Sequence, residues 1–406
     1  MDSVTVADVQ SARERIHDGI VETPCVAAVG LGSALPCRTL IKLENLQRTG
    51  SFKDRGALNR ILDLTPDERR RGVVTASAGN HAQAVAYHCG RLGIPAAVVM
   101  PDPTPLIKVA NTRRHGARIA FSGATLSDAM VEALRLEHEE GRVLVHAFDD
   151  DRVLAGQGTI GLELLEQVPD ATLVIVPIGG GGLISGIALA LKAARPDIRI
   201  IGVEADAAPS AAASRQAGER VRIESSETIA DGIAVKQIGE RTFPLIERLV
   251  DDIVTVGEEQ IAGAVHLLLE QQKLVAEGAG ATPLAALLSG RIAVSASDTA
   301  ILVLSGGNID VTMVGRIIDR GLVADGRLAR LVARVRDRPG ELARLTDRAA
   351  RTGANVLEIA HRRAFADITV SDVEIVMHLE TRGREHVEEI VRLLEADGIT
   401  IAEDVS

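Results

Sequence analysis

Residues 172–194 read TLVIVPIGGGGLISGIALALKAA. A short β-branched apolar run ends in four consecutive glycines, Gly179, Gly180, Gly181 and Gly182, and an apolar helical stretch follows. Strand, glycine turn and helix in that order form the repeating unit of a parallel sheet covered by helices on both faces. Each glycine costs about 0.5–1 kcal/mol relative to alanine in regular structure, and a loop that only turned would need one or two. The expected use of four is a backbone nest around a phosphate. The stretch comes near a dinucleotide fingerprint, with Glu204 about 20 residues on. That reading fails on spacing, because the closing position of a G-x-G-x-x-G begun at Gly180 is Ser185.

Outward from this unit the pattern repeats from Gly72 to Asn308. The strand candidates GVVTAS, AAVVM, ARIAF, RVLVHAF, IRIIGVEA, DIVTV and AILVLS alternate with helical stretches such as HAQAVAYHCGRLG and EEQIAGAVHLLLEQQ. The turns TASAGNH, PIGGGGLISG, EGAGATP and LSGGN are rich in glycine and serine and are expected at the C-terminal ends of strands. In an open α/β sheet that edge binds ligands. From Leu328 the order changes to strand, helix, strand, strand, helix, strand, which is the ferredoxin-like βαββαβ order. The expected organisation is an α/β body over 1–320 and a smaller α+β domain over 328–406. Within the body, a small subdomain covers about 55–150 and a large one 1–54 and 151–320.

The net charge of −11 argues against a nucleic-acid or anionic-membrane partner. No apolar run approaches the roughly 20 residues of a membrane span. The N-terminal MDSVTVADVQSARERIHDG lacks a basic-then-apolar signal pattern. Cys25, Cys37 and Cys89 are odd in number and unrelated in spacing, so they read as inert thiols of a reducing cytosol rather than a disulfide framework or a zinc site. With no tryptophan and one tyrosine, the core must be filled by Ala, Val, Ile and Leu.

Four segments carry chemistry. In Gly50-Ser51-Phe52-Lys53-Asp54-Arg55-Gly56 a lysine stands in the opening turn of a helix, where the dipole disfavours its protonated form; the alternative is a solvated surface lysine. Ser77-Ala78-Gly79-Asn80-His81 sits between strand and helix, either as an anion-binding helix start or as a plain cap made by Ser77 or Asn80. His81 could equally be a structural hydrogen-bonding residue, and nothing local decides it. The glycine run is the third segment. Ser305-Gly306-Gly307-Asn308 ends a strand, as a hydroxyl that could meet a heterocyclic nitrogen or as a turn.

Together and in this order the four segments resemble the β-family of pyridoxal 5'-phosphate (PLP) enzymes, fold type II, and most closely the threonine dehydratases; the resemblance covers essentially the whole chain. It implies PLP as cofactor, with Lys53 as the Schiff-base lysine and catalytic base and Phe52 packed against the ring. Asn80 would meet the ring hydroxyl, Gly179 to Gly182 the phosphate, and Ser305 the pyridine nitrogen. Ser77, Gly79, Asn80 and His81 would hold the substrate. The tail resembles an ACT domain through Asp337-Arg338-Pro339-Gly340-Glu341-Leu342 and Gly353-Ala354-Asn355-Val356. That implies an amino-acid effector around Asp337, Gly340 and Asn355, or a dimerisation module with no ligand.

The implied reaction converts L-threonine to 2-oxobutanoate and ammonia, and L-serine more slowly to pyruvate, with isoleucine as the natural effector. A homo-oligomer, tetramer or dimer, is expected. The alternatives are a lyase of serine or hydroxyaspartate, a serine racemase, and a non-catalytic amino-acid sensor. Racemases of this fold carry a serine where this chain has Ala78, so elimination should dominate. Their divalent ion is held by residues matching Glu204 and Ser210, and the serine there argues against a divalent site, while a monovalent cation held by backbone carbonyls stays open.

Overall fold

The computed structural model describes residues 4–224, 226–363 and 369–402, in a chain that divides into two units, Met1–Ile309 and Asp310–Ser406. The strands of the first unit are β1 (Cys25–Ala27), β2 (Arg38–Leu43), β3 (Val73–Ala76), β4 (Ala96–Met100), β5 (Arg118–Phe121), β6 (Val143–Leu144), β7 (Leu173–Pro177), β8 (Arg199–Ala205), β9 (Asp252–Val256) and β10 (Thr299–Leu304). Those of the second are β11 (Leu328–Arg336), β12 (Asn355–Arg362), β13 (Asp372–Glu380) and β14 (Thr400–Ala402).

Two sheets build the first unit. One has the order β1-β2-β10-β7-β8-β9, parallel except for the antiparallel edge strand β1. The other, β5-β4-β3-β6, is parallel throughout. Strands β4, β7 and β10 are buried along their whole length, as near-continuous apolar runs should be when helices cover both faces. The core of the larger sheet is aliphatic, with Val174, Val176, Ile184, Ile187, Ile200 and Ile301 among its fully buried members.

The helices Asp151–Gln167 and Gly182–Ala194 pack at close range, and glycines permit it. A Cβ on Gly186 would stand 2.5 Å from the Leu154 carbonyl oxygen and 2.6 Å from the Gly158 nitrogen. Those are backbone atoms, which cannot rotate aside.

Strand β2, with sequence RTLIKL, lies inside the larger sheet beside β10, although its lysine interrupts the apolar pattern. Lys42 is fully buried, and its Nζ donates to Glu163 Oε2 at 2.5 Å, the Thr23 carbonyl at 2.5 Å and Gln167 Oε1 at 3.0 Å. Glu163 also accepts from buried Arg55, which reaches Glu44 as well. Two cations and two carboxylates thus neutralise one another out of water, as buried charges must.

Two expectations are corrected here. The run RVLVHAF pairs only at Val143 and Leu144; beyond them, His146 Nδ1 accepts the N–H groups of Phe148 and Asp149, which turns the chain out of the sheet. EGAGATP follows no strand. It opens the helix Gly278–Leu288, with Glu277 at the N-cap position.

The second unit has the βαββαβ order, with the helices Glu341–Arg351 and Arg384–Ala396 between strands of an antiparallel sheet ordered β12-β13-β11-β14. Leu331, Ala333 and Val335 alternate on β11 with Val373, Ile375, Met377 and Leu379 on β13 to form one buried face, against which Leu345, Ile390 and Leu394 pack. No helix among the described residues is long and apolar enough to cross a membrane.

Candidate active site

Lys53 opens the helix Lys53–Leu62, and the turn before it is stitched to a loop far along the chain. The Phe52 N–H donates to the Ser305 carbonyl at 3.0 Å, and the Gly307 N–H donates to the Gly50 carbonyl at 2.9 Å. Ser51 and Gly306 form an isolated bridge between those bonds. Asp54, the next residue, is fully buried; it accepts from the Thr49 N–H and hydroxyl at 2.8 and 3.0 Å, and His88 Nε2 lies 2.8 Å from its other oxygen. The lysine therefore projects from a turn that is held on both sides.

Lys53 Nζ donates to the Ala147 carbonyl at 2.8 Å and stands 5.0 Å from the centre of the Phe52 ring. Burial lowers its pKa to about 8, against the charge of Glu277, which acts the other way. Removing a cation from water favours the neutral amine, the form that can attack a carbonyl or take a proton.

The second loop begins the helix Asn80–Leu92. No side chain caps that helix: Gly79 occupies the cap position, and the Ser77 hydroxyl accepts the Gly79 N–H at 3.3 Å. The alternative of a plain cap by Ser77 or Asn80 is thereby excluded. Asn80 turns its side chain away from its own helix and donates through Nδ2 to both oxygens of Glu277, at 2.8 and 3.0 Å. His81 is 2% exposed, and its Nε2 lies 2.9 Å from the Val145 carbonyl. Burial, and then Lys53, pushes its pKa down to about 3, so its ring is neutral and belongs to the core beneath the loop.

The glycine run lies on the third loop, with Gly181 at φ +92° capping the helix Gly182–Ala194 and no side chain bonded to that helix start. The Gly180 carbonyl accepts from the Thr242 hydroxyl at 2.7 Å. A Cβ on Gly180 would lie 2.3 Å from the Phe148 ring, and one on Gly182 would lie 3.0 Å from Phe148 Cβ. Asp149, beside that phenylalanine, accepts the N–H groups of Glu240 and Arg241, so one segment braces both Lys53 and the glycine loop.

A pyridine aldehyde bearing a phosphate requires an amine, an anion cradle and a polar contact for the ring. This chain has each of them. The amine is Lys53, and an uncapped helix start reached through glycines is an anion site by its dipole and its free N–H groups. Ser305 is buried at the end of β10, and its hydroxyl has no protein partner among the described residues.

Two participants were not singled out from the sequence. Glu277 lies in EGAGATP, and its signal was an acidic residue within an otherwise small and apolar run. Asn308 donates to the Thr49 carbonyl at 2.7 Å and to Asn80 Oδ1 at 2.8 Å, which joins the second and fourth loops. Glu204 spends its carboxylate on the N–H groups of Ala211 and Ala212, and burial raises its pKa to about 7. In the second unit Asp337 is paired with Arg363, and Asn355 donates to Glu380. Gly340 caps the helix Glu341–Arg351 at φ +96°, and no hydrogen bond joins these three among the described residues.

Known proteins share the sequence and the fold of this chain. The profile of the family described as "Pyridoxal-phosphate dependent enzyme" matches residues 16–306. An L-threonine ammonia-lyase of Thermotoga maritima is 46% identical over 398 residues, covering 98% of this chain and 99% of that protein. Among solved structures, a threonine deaminase from tomato, Solanum lycopersicum, in its processed form is 36% identical with a TM-score of 0.73, covering 77% of this chain and 91% of its own. Maize serine racemase is 38% identical with a TM-score of 0.75, covering 79% of this chain and 98% of its own.

Proposed function

The chain belongs to the family of pyridoxal-phosphate dependent enzymes, and from that premise we propose that it eliminates ammonia from L-threonine to give 2-oxobutanoate, with L-serine a slower substrate. The observation that best supports threonine is the 46% identity to an L-threonine ammonia-lyase along nearly the full length of both chains.

Bound pyridoxal phosphate withdraws electrons from the α-carbon of an attached amino acid, a capacity that belongs to the cofactor. The chain supplies the rest. The N–H groups of Gly179, Gly180, Gly181 and Gly182 and the helix they open would hold the phosphate, Asn80 the ring hydroxyl and Ser305 the ring nitrogen. Serine carries no charge to stabilise a protonated ring, which favours prompt loss of the β-hydroxyl over side reactions. The substrate carboxylate would lie on the main chain of the 77–81 loop, to which His81 would contribute its N–H rather than its buried ring. Lys53 Nζ would hold the cofactor and would serve as the base for the α-carbon proton of a bound substrate. With Ala78 where racemases carry a serine, position 78 has no hydroxyl to return a proton to the other face, so racemisation is expected to be negligible beside elimination.

The βαββαβ unit is read as an ACT domain that binds an amino acid near Asp337, Gly340 and Asn355, with isoleucine the candidate. Its support is the element order and the two motif segments. The test follows 2-oxobutanoate release from L-threonine with and without L-isoleucine, alongside L-serine and hydroxyaspartate. Threonine turnover changed by isoleucine is expected. A faster reaction with serine or hydroxyaspartate would overturn the threonine assignment, and turnover indifferent to isoleucine would overturn isoleucine as the effector.

A further inference from the structure

Glu277 is 6% exposed, in a position where a carboxylate is costly unless its oxygens are engaged. It precedes the helix Gly278–Leu288, yet its side chain makes no capping bond to that helix. Both oxygens go instead to Asn80 Nδ2, across 197 positions of sequence. The residue is held close: the Glu277 main-chain N–H donates to the Gly306 carbonyl at 3.1 Å, and a Cβ on Gly306 would stand 2.5 Å from Oε1.

The opposite end of the Asn80 amide is also taken. Asn308 donates to Asn80 Oδ1 at 2.8 Å, so the amide has a donor at its oxygen and an acceptor at its nitrogen and cannot be reversed without losing both. An amino group has two hydrogens. If the two oxygens of Glu277 share one of them, the other is left for a ligand.

We propose that Glu277 is a positioning residue for the cofactor: acting through Asn80, it fixes which end of that amide meets the ring. The inference rests on the reading that Asn80 contacts the ring hydroxyl. The charged groups around Glu277 are Lys53, Lys108 and Asp231, the last two paired with each other at 2.5 Å. Glutamine at 277 keeps an acceptor for Asn80, whereas alanine leaves the Asn80 amine without one.

The experiment titrates apo-protein with pyridoxal phosphate and records both the dissociation constant and the absorbance maximum of the bound cofactor. Glu277→Ala and Asn80→Ala should each weaken binding about tenfold and move the maximum, as loss of one buried hydrogen bond predicts. Glu277→Gln should stay within about twofold of the parent, and Glu277→Ala/Asn80→Ala should bind within about twofold of Asn80→Ala alone, because coupled residues are not additive. Glu277→Asp, too short to reach Asn80, serves in place of alanine if the alanine variant does not fold. Asn80→Ala weakened while Glu277→Ala and Glu277→Asp bind as the parent would overturn the inference, as would losses that multiply in the double variant. Parent-like binding by Asn80→Ala would overturn the placement of the ring and the inference with it.

Discussion

Lys53 Nζ donates to the Ala147 carbonyl at 2.8 Å, a bond between the first residue of a helix and an irregular segment 94 positions later. The main-chain oxygen holds the amine without contributing a full charge, so burial sets the balance between its two forms. The pKa lies near 8 rather than at the usual lysine value of 10.5. Because the folded value is depressed, the neutral amine is scarce below about pH 8 and dominant above it. In apo-protein the rate of pyridoxal phosphate capture should therefore rise with pH, with a midpoint near 8, measured by stopped-flow absorbance. A midpoint near 10, close to the ordinary lysine value, would show the amine to be solvated.

Lys53→Ala should remove both the attachment point and the base. Turnover of L-threonine is expected to fall by at least about 10²–10⁴-fold, the usual contribution of a positioned base. Borohydride reduction followed by peptide mapping should place the cofactor on the peptide containing Lys53 in the parent and on no lysine in the variant. A cofactor-labelled lysine in the variant would refute the assignment.

Gly180→Ala brings a methyl group to within 2.3 Å of the Phe148 ring. Either the ring moves, disturbing the segment that also positions Ala147, or the glycine loop opens. Overpacking of this kind costs about 1–3 kcal/mol. It should appear as weaker cofactor binding in an equilibrium titration, and Phe148→Leu in the same chain should recover part of the loss.

Glu163→Ala leaves Lys42 and one side of Arg55 without their partner in a fully buried site. Removing one member of a buried ion group costs about 3–5 kcal/mol, since the remaining charges stay out of water. Urea denaturation of the apo-protein should show the unfolding free energy falling by that amount. A change under about 1 kcal/mol, the range of exposed pairs, would mean that water reaches the group.

Sequence periodicity was a good guide where one element decides its own conformation. The strands DIVTV and AAVVM fall where their β-branched runs lie, and alternation from Val373 to Leu379 matches the buried face of β13. It fell short where a polar group interrupts the pattern. RTLIKL, outside the alternation read from Gly72 to Asn308, is a buried strand because Glu163, far along the chain, neutralises Lys42. RVLVHAF leaves its sheet early because His146 bonds the following N–H groups.

The sequence by itself determined the parallel α/β body, the βαββαβ tail, the glycine run and Lys53 at a helix start. Each of these depends on local backbone preference or on the spacing of apolar residues within a short window. The tertiary structure alone decided that Ala147 receives the lysine, that Glu277 and Asn308 hold the two ends of Asn80, and that His81 is buried and neutral. The reason is physical: a buried polar atom must find a partner, and that partner is chosen by which chain segments pack together, here across 94, 197 and 228 positions.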